Sequence, residues 1–149
     1  MMMKRFAIVA LASVALVTAG TAQQPASDSE ALPKGFKTTP VLKTAQTASN
    51  MTLAYPKAGQ AEVVSVTGEL EPGGRTARHQ HPVPVFVYVL EGTITVQADG
   101  GEPREYAPGK AFVEDVDHWH QAFNKGTTPV KILVVFMGEE GKPTTINAK

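Results

Sequence analysis

The sequence of 149 residues contains no cysteine. This absence excludes disulfide bonds and the attachment of a lipid through a cysteine. A concentrated basic face is also missing, because 14 lysines and arginines are balanced by 14 acidic residues, so no nucleic-acid partner is expected. Beyond residue 22 there is neither a helical period of apolar residues nor an internal repeat, which argues against helical and repeat architectures.

The first 22 residues have the pattern of a secretory signal peptide. Lys4 and Arg5 precede an apolar run over residues 6–17, and small residues follow up to Ala22. The run is shorter than the roughly 20 residues that cross a bilayer, so a cleaved signal peptide is favoured over a retained membrane anchor. We therefore expect a periplasmic or secreted protein with no stable membrane anchor and a net charge of about −2 after cleavage.

Residues 23–50 are polar and predict a flexible leader, which joins the fold late as an edge strand around Thr38 to Leu42. From residue 51 to residue 149, short apolar runs alternate with turns rich in Gly, Pro and Asp, which indicates one all-β sandwich or barrel. The predicted strands are Glu62 to Glu69, Thr76 to His81, Val85 to Leu90, Thr93 to Ala98, Arg104 to Tyr106, Ala111 to Asp115, Trp119 to Phe123 and Val130 to Met137.

The four histidines of the chain form two closely spaced pairs, His79 with His81 and His118 with His120. Residues i and i+2 of a strand project from the same face, so each pair presents two imidazoles side by side. Neutral imidazole is the commonest ligand of transition metals and suits Fe, Mn, Ni, Zn or Cu. The alternative is that one pair is merely a surface pair without a metal.

The surroundings of these pairs resemble the motifs of the cupin superfamily. Gly73-x5-His79-x-His81, with Gly92 as the closing glycine, is similar to the first cupin motif. Gly109-x5-Asp115-x-Asp117-x2-His120-x3-Asn124 is similar to the second, whose usual pattern is Gly-x5-Pro-x-Gly-x2-His-x3-Asn. The resemblance implies a single cupin barrel, also called a double-stranded β-helix or jelly roll, with one divalent transition metal bound by His79, His81 and His120.

The chain departs from the cupin pattern at two places. The first motif usually carries a glutamate ligand where this chain has Val85 and Phe86, and the second has Pro and Gly where this chain has Asp115 and Asp117. We therefore expect a centre of three neutral imidazoles without a carboxylate, which keeps the full charge of the metal and favours an anionic ligand. The two aspartates predict an acidic, less rigid turn.

His118 has three possible roles: a fourth ligand, a proton carrier beside the metal, or a polar residue of a turn. Strand parity places Val85, Val87 and Val89 inside the barrel, where they would line the pocket around the metal. The opposite face then carries three large side chains, Phe86, Tyr88 and Leu90, which are buried only if another element packs against them. This element could be the leader, a second sheet of the same subunit or a second subunit. Packing of a second subunit on this face predicts a homodimer.

Two functions remain open. The first is a metal-dependent dioxygenase, isomerase or lyase that acts on a small oxygenated or anionic molecule. The second is a non-catalytic module that binds a small ligand or senses metal or redox state. A purely structural metal is less favoured, because structural zinc is normally enclosed by four protein ligands.

Overall fold

The computed structural model describes residues 38–149, so the predicted signal peptide and the first part of the leader lie outside the described residues. The described part of the chain is all-β, and no helix in it is long and apolar enough to cross a membrane. Its strands are β1 (Ala61–Leu70), β2 (His79–Gln80), β3 (Val85–Glu91), β4 (Ile94–Ala98), β5 (Arg104–Tyr106), β6 (Ala111–Glu114), β7 (His120–Phe123), β8 (Val130–Glu139) and β9 (Ile146–Asn147).

The strands form two antiparallel sheets. One sheet has the order β1-β8-β3-β6 and the other the order β5-β4-β7-β2-β9. The long strands β1 and β8 pair over their whole length, from Ala61 with Glu139 to Leu70 with Val130. Because strands distant in sequence lie side by side, His79 of the first pair and His120 of the second both lie in the five-stranded sheet.

The core lies between the two sheets. Val85, Val87 and Val89 are buried there, as strand parity predicts, together with Ile94 and Phe112. Alternation along β3 explains this, because every second side chain of a strand points to the same face. Gly92 ends this strand with φ of 68°, and a Cβ at that position would lie 2.5 Å from the carbonyl oxygen of Pro129, so only glycine fits.

The predicted strands are found at most of their expected positions, with two differences. The strand predicted from Thr76 to His81 is reduced to the two residues of β2, and β9 was not predicted. Both differences have one cause. These short strands exist through pairing with each other, His79 with Asn147 and Gln80 with Ile146, and such long-range pairing leaves no periodic pattern in the sequence.

Residues 38–50 of the expected leader contain no strand at Thr38 to Leu42. Instead, a turn follows, in which Gln46 bridges Thr52 and Thr47 is buried. The amide of Ala48 donates to the carbonyl oxygen of Val113 at 2.7 Å. This end of the leader therefore packs against β6.

The outer face of the four-stranded sheet carries Phe86 and Tyr88, which point away from the second sheet. A groove of about 400 Å³ runs over this face. Its walls come from the sheet and from the preceding segment, with Leu42, Leu53 and Tyr55 on the segment side and Phe86, Val113, Val135 and Met137 on the sheet side. The leader thus covers part of the face, while Leu90 remains 39% exposed.

Candidate metal centre

Three imidazoles and one carboxylate come together between the sheets. The donor atoms of His79, His81, Glu114 and His120 all lie within 4.8 Å of one another. His79 of β2 lies directly opposite His120 of β7 in the pairing of these strands, and their ring centroids are 4.5 Å apart. The sheet pairing thus joins the two histidine motifs, which are separated by forty residues of sequence.

The backbone fixes the orientation of all three imidazoles. Each Nδ1 lies within hydrogen-bond distance of a main-chain carbonyl oxygen: His79 of Ala77 at 2.8 Å, His81 of Thr144 at 2.8 Å, and His120 of His118 at 2.9 Å. Because a carbonyl oxygen only accepts, each Nδ1 carries the proton and donates it. In the neutral rings the Nε2 lone pairs are therefore free for a metal, which is the tautomer that metal-ligating histidines need.

The expectation of a centre without a carboxylate is wrong. Glu114 at the end of β6 is buried and belongs to the group of four. It lies directly opposite Val85 in the pairing of β3 with β6, so it approaches the centre from the strand next to the usual glutamate position. One signal for it is present in the sequence, because Glu114 shares the inward face of a short apolar strand with Phe112.

The contact between Glu114 and the imidazoles requires a cation or a proton. Oε2 of Glu114 lies 3.0 Å from Nε2 of His81, and Oε1 lies 3.6 Å from Nε2 of His120. Two acceptors at 3.0 Å repel each other unless positive charge lies between them. Burial alone would raise the pKa of Glu114, but the nearby imidazoles of His120 and His81 outweigh it and lower the pKa to about 2.

The electrostatics of the histidines reflect the same arrangement. Burial lowers the pKa of His79, and the neighbouring His120 and His81 lower it further. Burial also acts to lower the pKa of His120, but Glu114 outweighs it and raises the pKa. Among the described residues, Nε2 of His120 is the only buried side-chain nitrogen or oxygen without a hydrogen-bond partner. An inward-facing, unpaired imidazole nitrogen beside a buried carboxylate is what a divalent transition metal fits.

His118 lies apart from this group. Its Nε2 is 3.1 Å from the carbonyl oxygen of Asp99, and it is not one of the four clustered residues. The fourth member of the cluster is thus Glu114 and not His118. What His118 gives to the centre is its main-chain carbonyl oxygen, which holds His120.

The two aspartates of the second motif have distinct structural roles. Asp117 adopts φ of 53°, the left-handed conformation that the glycine of the usual pattern adopts without strain, and its amide donates to the carbonyl oxygen of His81 at 2.8 Å. Asp115 is buried and accepts a hydrogen bond from the amide of Ser49. The turn is therefore tied to the first motif and to the leader.

One cavity borders the centre, and a second lies close to it in sequence. A small one beside Glu114 and His120 is lined in addition by Ala48, Ser49, Val96, Ala98, Glu102, Arg104, Tyr106 and Asp115. A larger cleft of about 400 Å³ with mainly apolar walls is lined by Pro82 and Val83, which follow His81 in the chain, but by none of the four clustered residues. Val85, Val87 and Val89, the predicted pocket-lining residues, line neither of these two cavities and are packed in the core.

Comparison with known proteins adds family relationships to this geometry. Residues 66–136 match the family model of the cupin domain. Over 84 residues the chain is 38% identical to an (R)-mandelonitrile lyase of Granulicella tundricola, a match that covers 55% of this chain and 63% of the lyase. The chain thus spans less than two thirds of that relative's length.

Among solved structures, an oxalate oxidase in complex with the substrate analogue glycolate is similar with a TM-score of 0.51 and 26% identity, covering 58% of this chain and 46% of the oxidase. An uncharacterized protein with a double-stranded β-helix domain from Klebsiella pneumoniae has a TM-score of 0.51 and 20% identity. That similarity covers 63% of this chain and 89% of the other, and it shows a common fold.

Proposed function

Because the chain belongs to the cupin superfamily, we propose that it is a metal-dependent enzyme that acts on a small oxygenated or anionic molecule. In this proposal His79, His81, Glu114 and His120 hold one divalent transition metal. The observation that carries it is the convergence of three imidazoles, each fixed by a main-chain carbonyl oxygen, on one buried carboxylate.

The donor set bears on the choice of metal. Three neutral imidazoles and one carboxylate reduce the charge of a divalent ion to about +1. Four protein ligands complete a tetrahedral zinc site, whereas a six-coordinate ion keeps two positions for substrate or water. We therefore favour Mn, Fe or Ni over Zn and Cu. When bound, such an ion would supply Lewis-acid or redox chemistry to a coordinated oxygen.

The small cavity next to Glu114 and His120 has a volume of about 20 Å³ and is also lined by Glu102, Arg104 and Asp115, so it admits a water-sized group and not a whole substrate. Support for an oxygen-bearing substrate comes from the relatives. Mandelonitrile, oxalate and glycolate, the compounds named for them, are small molecules with oxygen donors, which supports lyase or oxidase chemistry among the possible reactions.

The test begins with the metal. The protein is purified without added metal, and its content of Mn, Fe, Ni, Zn and Cu is measured by elemental analysis. The protein is then reconstituted with each ion and assayed on hydroxynitriles, hydroxy acids and dicarboxylates. We expect close to one metal per chain and turnover of at least one of these classes. Loss of the metal in His79→Ala, with a folded barrel, supports the proposal, whereas unchanged metal content in that variant contradicts it.

A non-catalytic binding module is the second candidate. It is favoured by the cleft of about 400 Å³ with mainly apolar walls near His81, because apolar, concave sites of this size bind small molecules. Protein that binds metal and ligand tightly but turns over none of the substrate classes with any of the five ions supports this candidate over the enzyme.

We further propose that the chain is exported, with residues 1–22 as the signal peptide. Lys4, Arg5 and the apolar run that follows them support this. Expression with a C-terminal epitope, followed by cell fractionation and N-terminal sequencing, tests it. A mature N-terminus at Gln23 in the periplasm or medium is expected, and an intact N-terminus in the cytoplasm contradicts it.

A homodimer is also proposed, with the outer face of the four-stranded sheet as the contact. Val63 is 69% exposed and Tyr55 is 60% exposed on or beside this face, and an uncovered apolar surface of this kind favours association. Light scattering of the wild type and of Val63→Lys tests the proposal. A dimer that the variant converts to a monomer supports it, and a monomeric wild type contradicts it.

A further inference from the structure

We propose that residues 144–148, named here the 144–148 segment, position His79 and His81 for ligation. This inference rests on the proposed metal site and deepens it. The two histidines belong to or follow β2, a strand of two residues. β2 joins β7 through a single residue pair, His79 with His120, and the amide of Asp117 donates to the carbonyl oxygen of His81. These are few backbone contacts for a strand that carries two of the proposed ligands.

The other side of β2 is held by the 144–148 segment. Asn147 and Ile146 of β9 pair with His79 and Gln80, and the amide of Ala148 donates to the carbonyl oxygen of Arg78 at 2.9 Å. The segment therefore continues the five-stranded sheet beyond β2 and fixes the backbone of the first histidine motif.

The segment also acts directly on one ring. Nδ1–H of His81 donates to the carbonyl oxygen of Thr144 at 2.8 Å, and Oγ1 of Thr145 lies 3.3 Å from the same nitrogen. These contacts select the tautomer of His81 that leaves Nε2 facing Glu114. Removing a hydrogen-bond partner of this kind typically lowers metal affinity about 10- to 100-fold.

The other two ligands do not depend on the segment. β7, which carries His120, is paired with β4 over four residues, and the Nδ1 of His120 is held by its own neighbour His118. Glu114 is held by the pairing of β6 with β3. Strands with several paired residues therefore hold His120 and Glu114. The 144–148 segment holds the backbone around His79 and His81.

The experiment compares three chains with the full-length protein: one ending at Pro143, one ending at Ala148, and full-length Ala148→Pro, which loses only the amide that donates to Arg78. Affinity for Mn²⁺ and Co²⁺ is measured by competition with a chromophoric chelator, and the Co²⁺ spectrum is recorded. We expect the chain ending at Pro143 to bind at least about tenfold more weakly, with a changed spectrum. We expect Ala148→Pro to be intermediate and the chain ending at Ala148 to match the full-length protein.

A second readout needs no metal. In ¹⁵N-resolved NMR of the metal-free protein, the Nδ1–H proton of His81 should be protected from exchange with water in the full chain, because it donates to the carbonyl oxygen of Thr144. That protection should be lost in the chain ending at Pro143, while the Nδ1–H of His120 keeps its protection. Unchanged protection of His81, or equal metal affinity in the two truncated chains, overturns the role of the segment. If the full chain binds no metal, the proposed function fails, and the NMR result alone decides whether the segment orients His81. If the chain ending at Pro143 is unfolded, the metal affinity and the NMR result of Ala148→Pro decide instead.

Discussion

Glu114 lies directly across from Val85 in the antiparallel pairing of β6 with β3. Val85 stands at the position where the first cupin motif usually carries its glutamate ligand. Directly opposite residues of two paired strands have Cβ atoms about 5 Å apart, so side chains from either position reach the same part of the barrel interior. The carboxylate of this cluster therefore comes from β6, on the strand opposite Val85, and not from β3.

The first prediction concerns these two opposite positions. Glu114→Val should lower metal affinity by at least about tenfold, because it removes the only clustered carboxylate. The double variant Val85→Glu with Glu114→Val should recover most of that loss, since it returns a carboxylate to the same space from the opposite strand. Chelator competition measures both. If the double variant binds no better than the single one while remaining folded, the two positions are not equivalent.

The second prediction separates the two histidines of the second motif. His120→Ala should lose nearly all bound metal, whereas His118→Ala should keep it, because only the main-chain carbonyl of His118 contacts His120. Elemental analysis of the two purified variants side by side provides the measurement, and each variant is the other's control. Equal loss in both would show that the side chain of His118 takes part after all.

The third prediction concerns pH. The imidazoles lower the pKa of Glu114 from the ordinary 4.5 to about 2. While the imidazoles are protonated, a lowered carboxyl pKa means that this stabilisation is complete above pH 4.5 and is lost as the pH falls toward about 2, by an amount on the order of 3 kcal/mol. Urea unfolding of the metal-free protein at a series of pH values should show this decline.

The matched variant for that measurement is Glu114→Gln, which has nearly the same shape but no charge to lose. The free energy of unfolding of this variant should fall less steeply over the same pH interval, because it lacks the carboxyl of Glu114. All other acidic residues are common to both proteins and contribute equally to the two curves. Parallel curves for the two proteins would mean that Glu114 contributes nothing to the acid sensitivity of the fold.

The fourth prediction addresses Asp117, which adopts a positive φ of 53°. Asp117→Gly should stabilise the protein or leave it nearly unchanged, within about 1 kcal/mol, because glycine relieves the strain but costs more entropy on folding. Asp117→Val should destabilise it by at least about 1 kcal/mol, because a β-branched side chain tolerates this conformation poorly. Denaturant unfolding measures both, and equal stabilities for the two variants contradict the assignment of strain.

Much of the fold could be predicted from the sequence because its signals are local. Alternation placed Val85, Val87 and Val89 in the core, and turn residues separated the strands at most of the observed positions. The spacing of the two histidine motifs also identified three of the four clustered residues. These features depend on residues close to each other in the chain.

The features that were missed depend on pairing between distant segments. Glu114 was overlooked because its partner in space, Val85, is 29 positions away, and the register of β3 with β6 cannot be read from either strand alone. The pairing of β9 with β2 was missed for the same reason. The end of the leader was expected to be flexible, but the buried Thr47 and the bond from Ala48 to Val113 hold it against β6.

The carbonyl oxygens behind the three imidazoles have a consequence for how the centre can change. Peptide groups are present whatever the side chains are, so no point substitution can delete the acceptors that set the three tautomers. Single substitutions can therefore change the carboxylate, the cavity and the substrate preference one residue at a time. The three imidazoles keep their orientation, because the carbonyl oxygens that accept from them remain. A library that varies the pocket but leaves the strand pairing intact is thus a practical route to new reactivity in this barrel.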